Sequence, residues 1–233
     1  MADDSAEALP PASRAAIDKA DQIIGGPRHL DLVGAGARGT PWPVPFSITP
    51  VIEARGKDTV VLASGDPFWF GAGGTLTAHL DPADWTVHPA PSTFSHIAGA
   101  LGWRLEDVTC HGLHAAPLER LRRVLSPQGR LICLLRDQDA PERLAKWLSE
   151  QHADGSILYV CERMGGPHQR IRKPTAATFD FTDIVAPVAV AVELPAHVGL
   201  SRASGLPDEA FKHDGQITKR AVRALTLSTL APR

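Results

Sequence analysis

The chain has 233 residues, 43% of them hydrophobic and 21% charged, with a formal net charge of −2. That composition is globular, and the length suits one large domain or two small ones sharing a cleft. There is no dense Lys/Arg block and only one Tyr, so nucleic acid, which demands clustered cations for its phosphates, is not an expected partner. No apolar run approaches the roughly 18 residues that span a bilayer, and Met1-Ala2-Asp3-Asp4 lacks the basic and apolar regions of a signal peptide. The expected location is therefore cytoplasmic, with no membrane partner.

The first expected element is a helix over roughly Glu7–Gln22. Further on, Gly34-Ala35-Gly36-Ala37-Arg38-Gly39 is formally G-x-G-x-x-G. A dinucleotide fingerprint must open a helix, so that the pyrophosphate sits on the helix N-terminus. Pro41, Pro43 and Pro45 exclude a helix here, and the stretch reads as a loop. Thr59–Ala63 reads as a buried strand. It runs into Ser64-Gly65-Asp66-Pro67-Phe68-Trp69-Phe70-Gly71, at the sheet edge where parallel α/β folds place ligands. Gly65 would let the backbone approach a ligand, Asp66 offers an acceptor and Pro67 fixes the chain direction. A ligand loop is favoured over a plain βα turn.

Trp85–His88 looks strand-like, and a domain joint is expected near Pro89–Pro91. Ser92 is a plausible N-cap, with Phe94, Ile97, Ala98 and Leu101 at helical spacing and Gly102 as the stop. Ser92, Thr93 and Phe94 could hold a polar ligand or simply cap the helix. Cys110-His111-Gly112-Leu113-His114 places two histidines three apart, but no third ligand is near and no metal is expected. A second apolar stripe, Leu118, Leu121 and Leu125, lies behind Pro117. A third, Leu144, Trp147 and Leu148, follows Asp139 as a possible cap and Pro141 in the first turn.

Three more apolar runs, 130–135, 156–161 and 188–192, read as strands. Glu162-Arg163-Met164-Gly165-Gly166-Pro167 followed by Ile171 reads as a hairpin, so this half is expected to carry antiparallel strands. The three scattered cysteines, Cys110, Cys133 and Cys161, read as buried core thiols. From Leu200 onward come polar turns and a short helix over Lys219–Leu230. Strands alternating with helices imply βαβ units and an α/β fold.

In order, Gly25-Gly26-Pro27-Arg28-His29-Leu30, Leu62–Gly74, Pro91–Phe94, His111-Gly112-Leu113 and Glu162–Pro167 form a set. This set resembles the precorrin carbon-5 methyltransferase family, the amino-terminal half of the two-domain C5,15-methyltransferases (decarboxylating), within the tetrapyrrole (corrin/porphyrin) methyltransferases. The similarity covers roughly residues 6–195. Gly205–Arg220 is similar to the opening of the carboxyl-terminal domain of those two-domain enzymes.

The resemblance implies two α/β lobes, the first mostly parallel and the second mixed, with S-adenosylmethionine (SAM) in the cleft between them. It implies a first lobe over residues 1–90 and a second over 91–198. Residues 199–233 would begin a truncated further domain, and the first lobe would lack the family's first strand. Carried across, Gly65, Asp66, Pro67, Ser92, Thr93, Phe94, Leu135, Met164 and Gly165 would face SAM. Arg28, Arg38 and Arg136 would anchor the carboxylates of a precorrin substrate, and Asp66 or His111 would take the proton released after methylation. A homodimer is the implied assembly. A uroporphyrinogen or diphthamide acceptor, or a non-catalytic remnant that binds a tetrapyrrole or a partner chain, is the alternative.

Overall fold

A computed structural model describes residues 9–199 and 204–231. Met1–Asp4, Glu7 and Leu200, each part of a reading above, lie outside them. The elements in chain order are α1 (Pro11–Lys19), β1 (Gln22–Gly25), α2 (Pro27–Leu32), β2 (Gly39–Pro41), α3 (Thr49–Glu53), β3 (Thr59–Val61) and α4 (Gly73–Thr77). They continue with α5 (Thr93–Leu101), β4 (Val108–Gly112), β5 (Arg130–Leu134), α6 (Ala140–Glu150), β6 (Ile157–Glu162), β7 (Arg170–Arg172), β8 (Val188–Glu193) and α7 (Arg220–Leu230). The class is α/β, as expected. No helix among the described residues is long and apolar enough to cross a membrane.

The first sheet has the order β2-β1-β3 and is wholly parallel. The second has the order β4-β5-β8-β6-β7, with β4 and β5 parallel and the other pairs antiparallel. β8 is apolar at every position from Val188 to Val192 because it is central and covered on both faces. Alternation sends Val188, Val190 and Val192 towards Leu144 and Leu148 of α6. It sends Ala189 and Ala191 to the other face, against Phe94 and Ile97 of α5. Large residues on one face and small ones on the other set how closely each helix can lie.

Several local expectations need correction. The first helix ends at Lys19, not Gln22, and Gln22–Gly25 is the central strand of the first sheet, with Ile23 and Ile24 fully buried. The glycine stretch read as a loop ends in a short edge strand, β2. Prolines still bar a helix after it, so no dinucleotide turn forms. Leu118–Arg123 is a 3-10 helix. Asp139 has helical backbone angles and its side chain caps nothing; instead Asp137 Oδ1 accepts from the Asp139 N–H at 3.2 Å. Trp85–His88 belongs to no sheet among the described residues, although Trp85 has extended backbone angles, φ −142° and ψ 153°. The cap at Ser92, the stop at Gly102 (φ +67°) and the β6–β7 hairpin stand as expected.

Candidate active site

The carboxyl ends of β1 and β3, the start of α5, and the ends of β5 and β6 converge on a cleft of about 390 Å³. Its walls come from both sheets: Gly26, Arg28, His29, Ser64, Trp69 and Phe70 on one side, and Thr93, Phe94, His114, Leu135, Cys161 and Met164 on the other. The volume is in the range that encloses a nucleoside-sized ligand.

The loop after β3 is fixed by its own backbone. Asp66 Oδ1 accepts from the Phe68 N–H at 2.8 Å, and the Gly73 N–H donates to Pro67 O at 2.8 Å. A Cβ on Gly71 or Gly73 would lie 2.5 or 2.6 Å from Pro67 O, so the chain folds this tightly only with glycine there. Gly65 has φ +65°, and a Cβ would sit 2.8 Å from Ser92 Cα; its role is to let the loop press on the start of α5.

Ser92, Thr93, Phe94, Leu135 and Met164 all line the cleft. Ser92 also caps α5, its Oγ accepting from the Ser95 N–H at 3.1 Å, so one residue both caps the helix and lines the cavity. Gly65 and Pro67 line a neighbouring groove instead, and Asp66 is engaged within its own turn. Gly165 (φ +83°) turns the hairpin, its N–H directed to Gln169 Oε1 at 3.3 Å. Arg28 lines the cleft, and Arg136 donates from Nε to the carbonyl of the lining residue His114 at 2.7 Å. Arg38 is elsewhere: one guanidinium nitrogen donates to the carbonyls of Ile17, Asp18 and Ala20, closing the last turn of α1. His111 is not part of the cleft wall. Its Nε2 is buried with no hydrogen-bond partner among the described residues, and burial, then the charge of Arg120, pushes its pKa down.

Sequence reasoning missed His29, Trp42, His114 and Cys161 as wall residues. His29 lies within a motif already singled out, so adjacency to Arg28 was its available signal. Burial, aided by the Arg28 charge, pushes its imidazole pKa down to about 4, leaving it neutral at physiological pH. Burial pushes the Cys110 thiol up to about 11 and those of Cys133 and Cys161 up to about 12. No group of three metal-ligating side chains occurs among the described residues.

A larger groove of about 700 Å³ runs along the outer edge of β3. On the inner edge, Gln22 N–H donates to Asp58 O and Leu62 N–H to Ile24 O, so Asp58, Val60 and Leu62 face β1. The N–H and C=O groups of Thr59 and Val61 therefore point into the groove. No strand covers that edge among the described residues. The far wall is the extended Trp85–His88 stretch, whose Trp85 Nε1 is buried and has no partner among the described residues.

The model of the tetrapyrrole (corrin/porphyrin) methylases matches residues 4–180. The chain belongs to that family. A second model, a precorrin methyltransferase domain, matches residues 209–233. A Sinorhizobium precorrin-6Y C(5,15)-methyltransferase [decarboxylating] is 40% identical over the whole chain, which spans 58% of that relative's length. The chain thus covers little more than half of the first curated relatives it matches. A Salmonella typhimurium cobalt-precorrin-7 C(5)-methyltransferase is 28% identical over 70% of this chain and 82% of its own. Among solved tetrapyrrole methylases, the precorrin-6Y methylase of Archaeoglobus fulgidus superimposes with a TM-score of 0.57 at 21% identity, covering 81% of this chain and 92% of its own. A diphthine synthase reaches 0.64 at 13% identity, covering 84% and 87%, so the fold alone does not distinguish acceptors.

Proposed function

We propose that this chain is a SAM-dependent methyltransferase acting on carbon 5 of a precorrin in cobalamin synthesis. The observation that carries the reading is the shared cleft: five of the residues that the resemblance turns towards SAM, Ser92, Thr93, Phe94, Leu135 and Met164, line one cavity built by both sheets. SAM fits this wall, which offers apolar surface from Phe94, Leu135 and Met164 and polar groups from Ser64, Ser92 and Thr93. When bound, SAM supplies an electrophilic methyl group. The protein's part is then placement and exclusion of water. Neutral His29 adds no positive charge beside a cationic sulfonium. Arg28 and Arg136 stand at the cleft to meet substrate carboxylates, whereas Arg38 is committed to α1. The resemblance offers Asp66 and His111 as proton acceptors, but neither lines the cleft: Asp66 is held in its own turn and His111 lies outside the wall. The working assembly is a cytoplasmic homodimer. Isothermal titration with SAM followed by transfer of a labelled methyl group to a panel of precorrins tests the reading. Binding with label on the precorrin is expected, and label only on a non-tetrapyrrole acceptor would sink it.

The groove beside β3 favours a second reading of the first lobe. Its outward N–H groups, at Thr59 and Val61, are those a further parallel strand would pair, and Trp85–His88 would flank it. In this reading, residues 1–90 form a lobe whose sheet takes one more strand, and binding without turnover describes the chain until that strand is seated. The amides of Thr59 and Val61 are expected to exchange hydrogen at least about a hundredfold faster than those of Val190 and Ala191. Equal protection would show the edge to be covered already.

A further inference from the structure

We infer that Glu162, with Asp183 beside it, is a positioning residue: it fixes the stretch 183–188, from which two turns of the cleft wall are held. The inference rests on the methyltransferase reading and deepens it by naming what sets the second lobe's side of the cavity.

The stretch that runs from Asp183 into β8 enters the cleft, where Pro187, Val188 and Ala189 are wall residues. Pro187 O accepts from the Arg163 N–H at 2.9 Å, and Val188 O accepts from the Leu135 N–H at 3.2 Å. One carbonyl therefore holds the turn after β6, which carries Met164. The next holds the end of β5, where Leu135 lines the cavity. A shift of this stretch moves both turns together.

Apolar burial does not fix it. Ile184 is buried in the core of the second lobe, but Val185 is 49% exposed, and Ala186 and Pro187 are exposed as well. Exposed residues gain little from the hydrophobic effect, so polar contacts must set their place. Those contacts converge on Glu162. Its Oε1 accepts from the Val185 N–H at 2.8 Å and from Arg170 Nη2 at 2.7 Å, and its Oε2 accepts from Arg170 Nε at 2.8 Å. Asp183 closes the ring on the solvent side. Its carboxylate accepts from Arg170 Nη1 at 3.0 Å and from Arg172 Nη1, and its carbonyl accepts from Arg170 Nη2 at 2.8 Å. The backbone of Glu162 grips the same region, paired with Arg170 of β7 and Val188 of β8.

Stability alone does not explain a carboxylate here. Apolar side chains of similar size often fill such a space at equal or lower free energy, because desolvating a charge is costly. What the ion network adds is direction, since a guanidinium held by two bonds fixes angles as well as distances. Direction matters beside a cavity in which a small misplacement of a bound reagent slows its transfer. Glu162 is not itself a wall residue, so it acts through Leu135, Met164 and Pro187.

Hydrogen exchange and a SAM titration on the full chain test the role. In Glu162→Ala and Asp183→Ala the Leu135 and Arg163 amides are expected to exchange about tenfold faster, while Val190 and Ala191 keep the parent's rates. SAM affinity should fall about fivefold in Asp183→Ala, as for the loss of one hydrogen-bonded tie. Glu162→Gln, whose amide oxygen still accepts from Val185, should recover most of what Glu162→Ala loses. Asp183 is exposed, so its variant keeps the test open even if Glu162→Ala fails to fold. The control is Glu193→Gln, which disturbs the contacts of Arg130 and Tyr159 at the far end of β8 and should leave SAM affinity at the parent's value. Parent-like exchange at Leu135 and Arg163 in Asp183→Ala, or an equal loss of SAM affinity in Glu193→Gln, would overturn the positioning role. A parent chain that binds no SAM would remove the methyltransferase reading, and the exchange rates would still decide whether the network holds the wall.

Discussion

The two sheets solve the problem of burying a strand in different ways. In the second, β8 is paired on both edges and covered on both faces, and Val190, Ala191 and Val192 are completely buried. In the first, β1 alone is flanked on both sides, each strand has three or four residues, and the outer edge of β3 faces the larger groove. The first lobe has two small apolar clusters, one around Ile17, Ile23 and Leu62 and one around Ile24, Val51 and Leu76. The second has a cluster running from Leu113 to Val198. The loops that line the cleft are carried mainly by the thinner lobe, while the thicker one supplies the opposite wall. Binding loops belong at the less stable end of a structure, because they must adjust to what they hold.

The contrast is most readily broken at Glu162. This carboxylate is 2% exposed and accepts from Arg170 at 2.7 and 2.8 Å and from the Val185 N–H at 2.8 Å, with Arg172 at 3.2 Å. Burial alone would push its pKa up, but the Arg170 and Val185 hydrogen bonds and the charges of Arg172 and Arg170 hold it below the usual range. Glu162→Ala is expected to cost about 3 kcal/mol, since it removes the buried carboxylate that Arg170 and Arg172 share and leaves them only the exposed Asp183. Urea denaturation checks this, and a loss below about 1 kcal/mol would mean the second lobe does not owe its rigidity to this network.

A smaller effect sharpens the comparison on the first lobe. With a folded pKa of about 4 against the ordinary 6.5, His29 stays neutral where the unfolded chain would protonate. Its contribution to stability is complete above pH 6.5 and is lost as pH falls from 6.5 towards 4. The melting temperature of His29→Gln should fall less over that window than that of the parent chain. Parallel curves would show that the ring is already solvated.

Much of the second lobe was legible because a strand covered on both faces must be apolar throughout, and such runs stand out at 130–135, 156–161 and 188–192. β1 escaped because no glycine or proline marks the end of α1 at Ala20 and Asp21, and Ile23 and Ile24 fit either period. The cap assigned to Asp139 failed because Asp137, two residues earlier, holds its amide. At the site, motif residues that touch the cavity were found, but the purpose of each was not. Gly65 and Asp66 shape a turn, and Arg38 closes a helix, because carbonyls brought near by tertiary folding claim its charge. Trp42 lies 17 residues after Gly25 in sequence, and only the parallel pairing of β1 with β2 brings it to the cleft.

Cys161 stands in the cleft wall with its thiol directed to Tyr159 O at 3.3 Å and its pKa near 12. At neutral pH the sulfur therefore stays almost wholly as the thiol, whereas the thiolate is the form that attacks alkylating agents. A chamber that holds a methyl donor would be damaged by any nucleophile of its own. Burial disarms this sulfur, so under the proposed function a reactive reagent could be held beside a cysteine without the protein consuming itself.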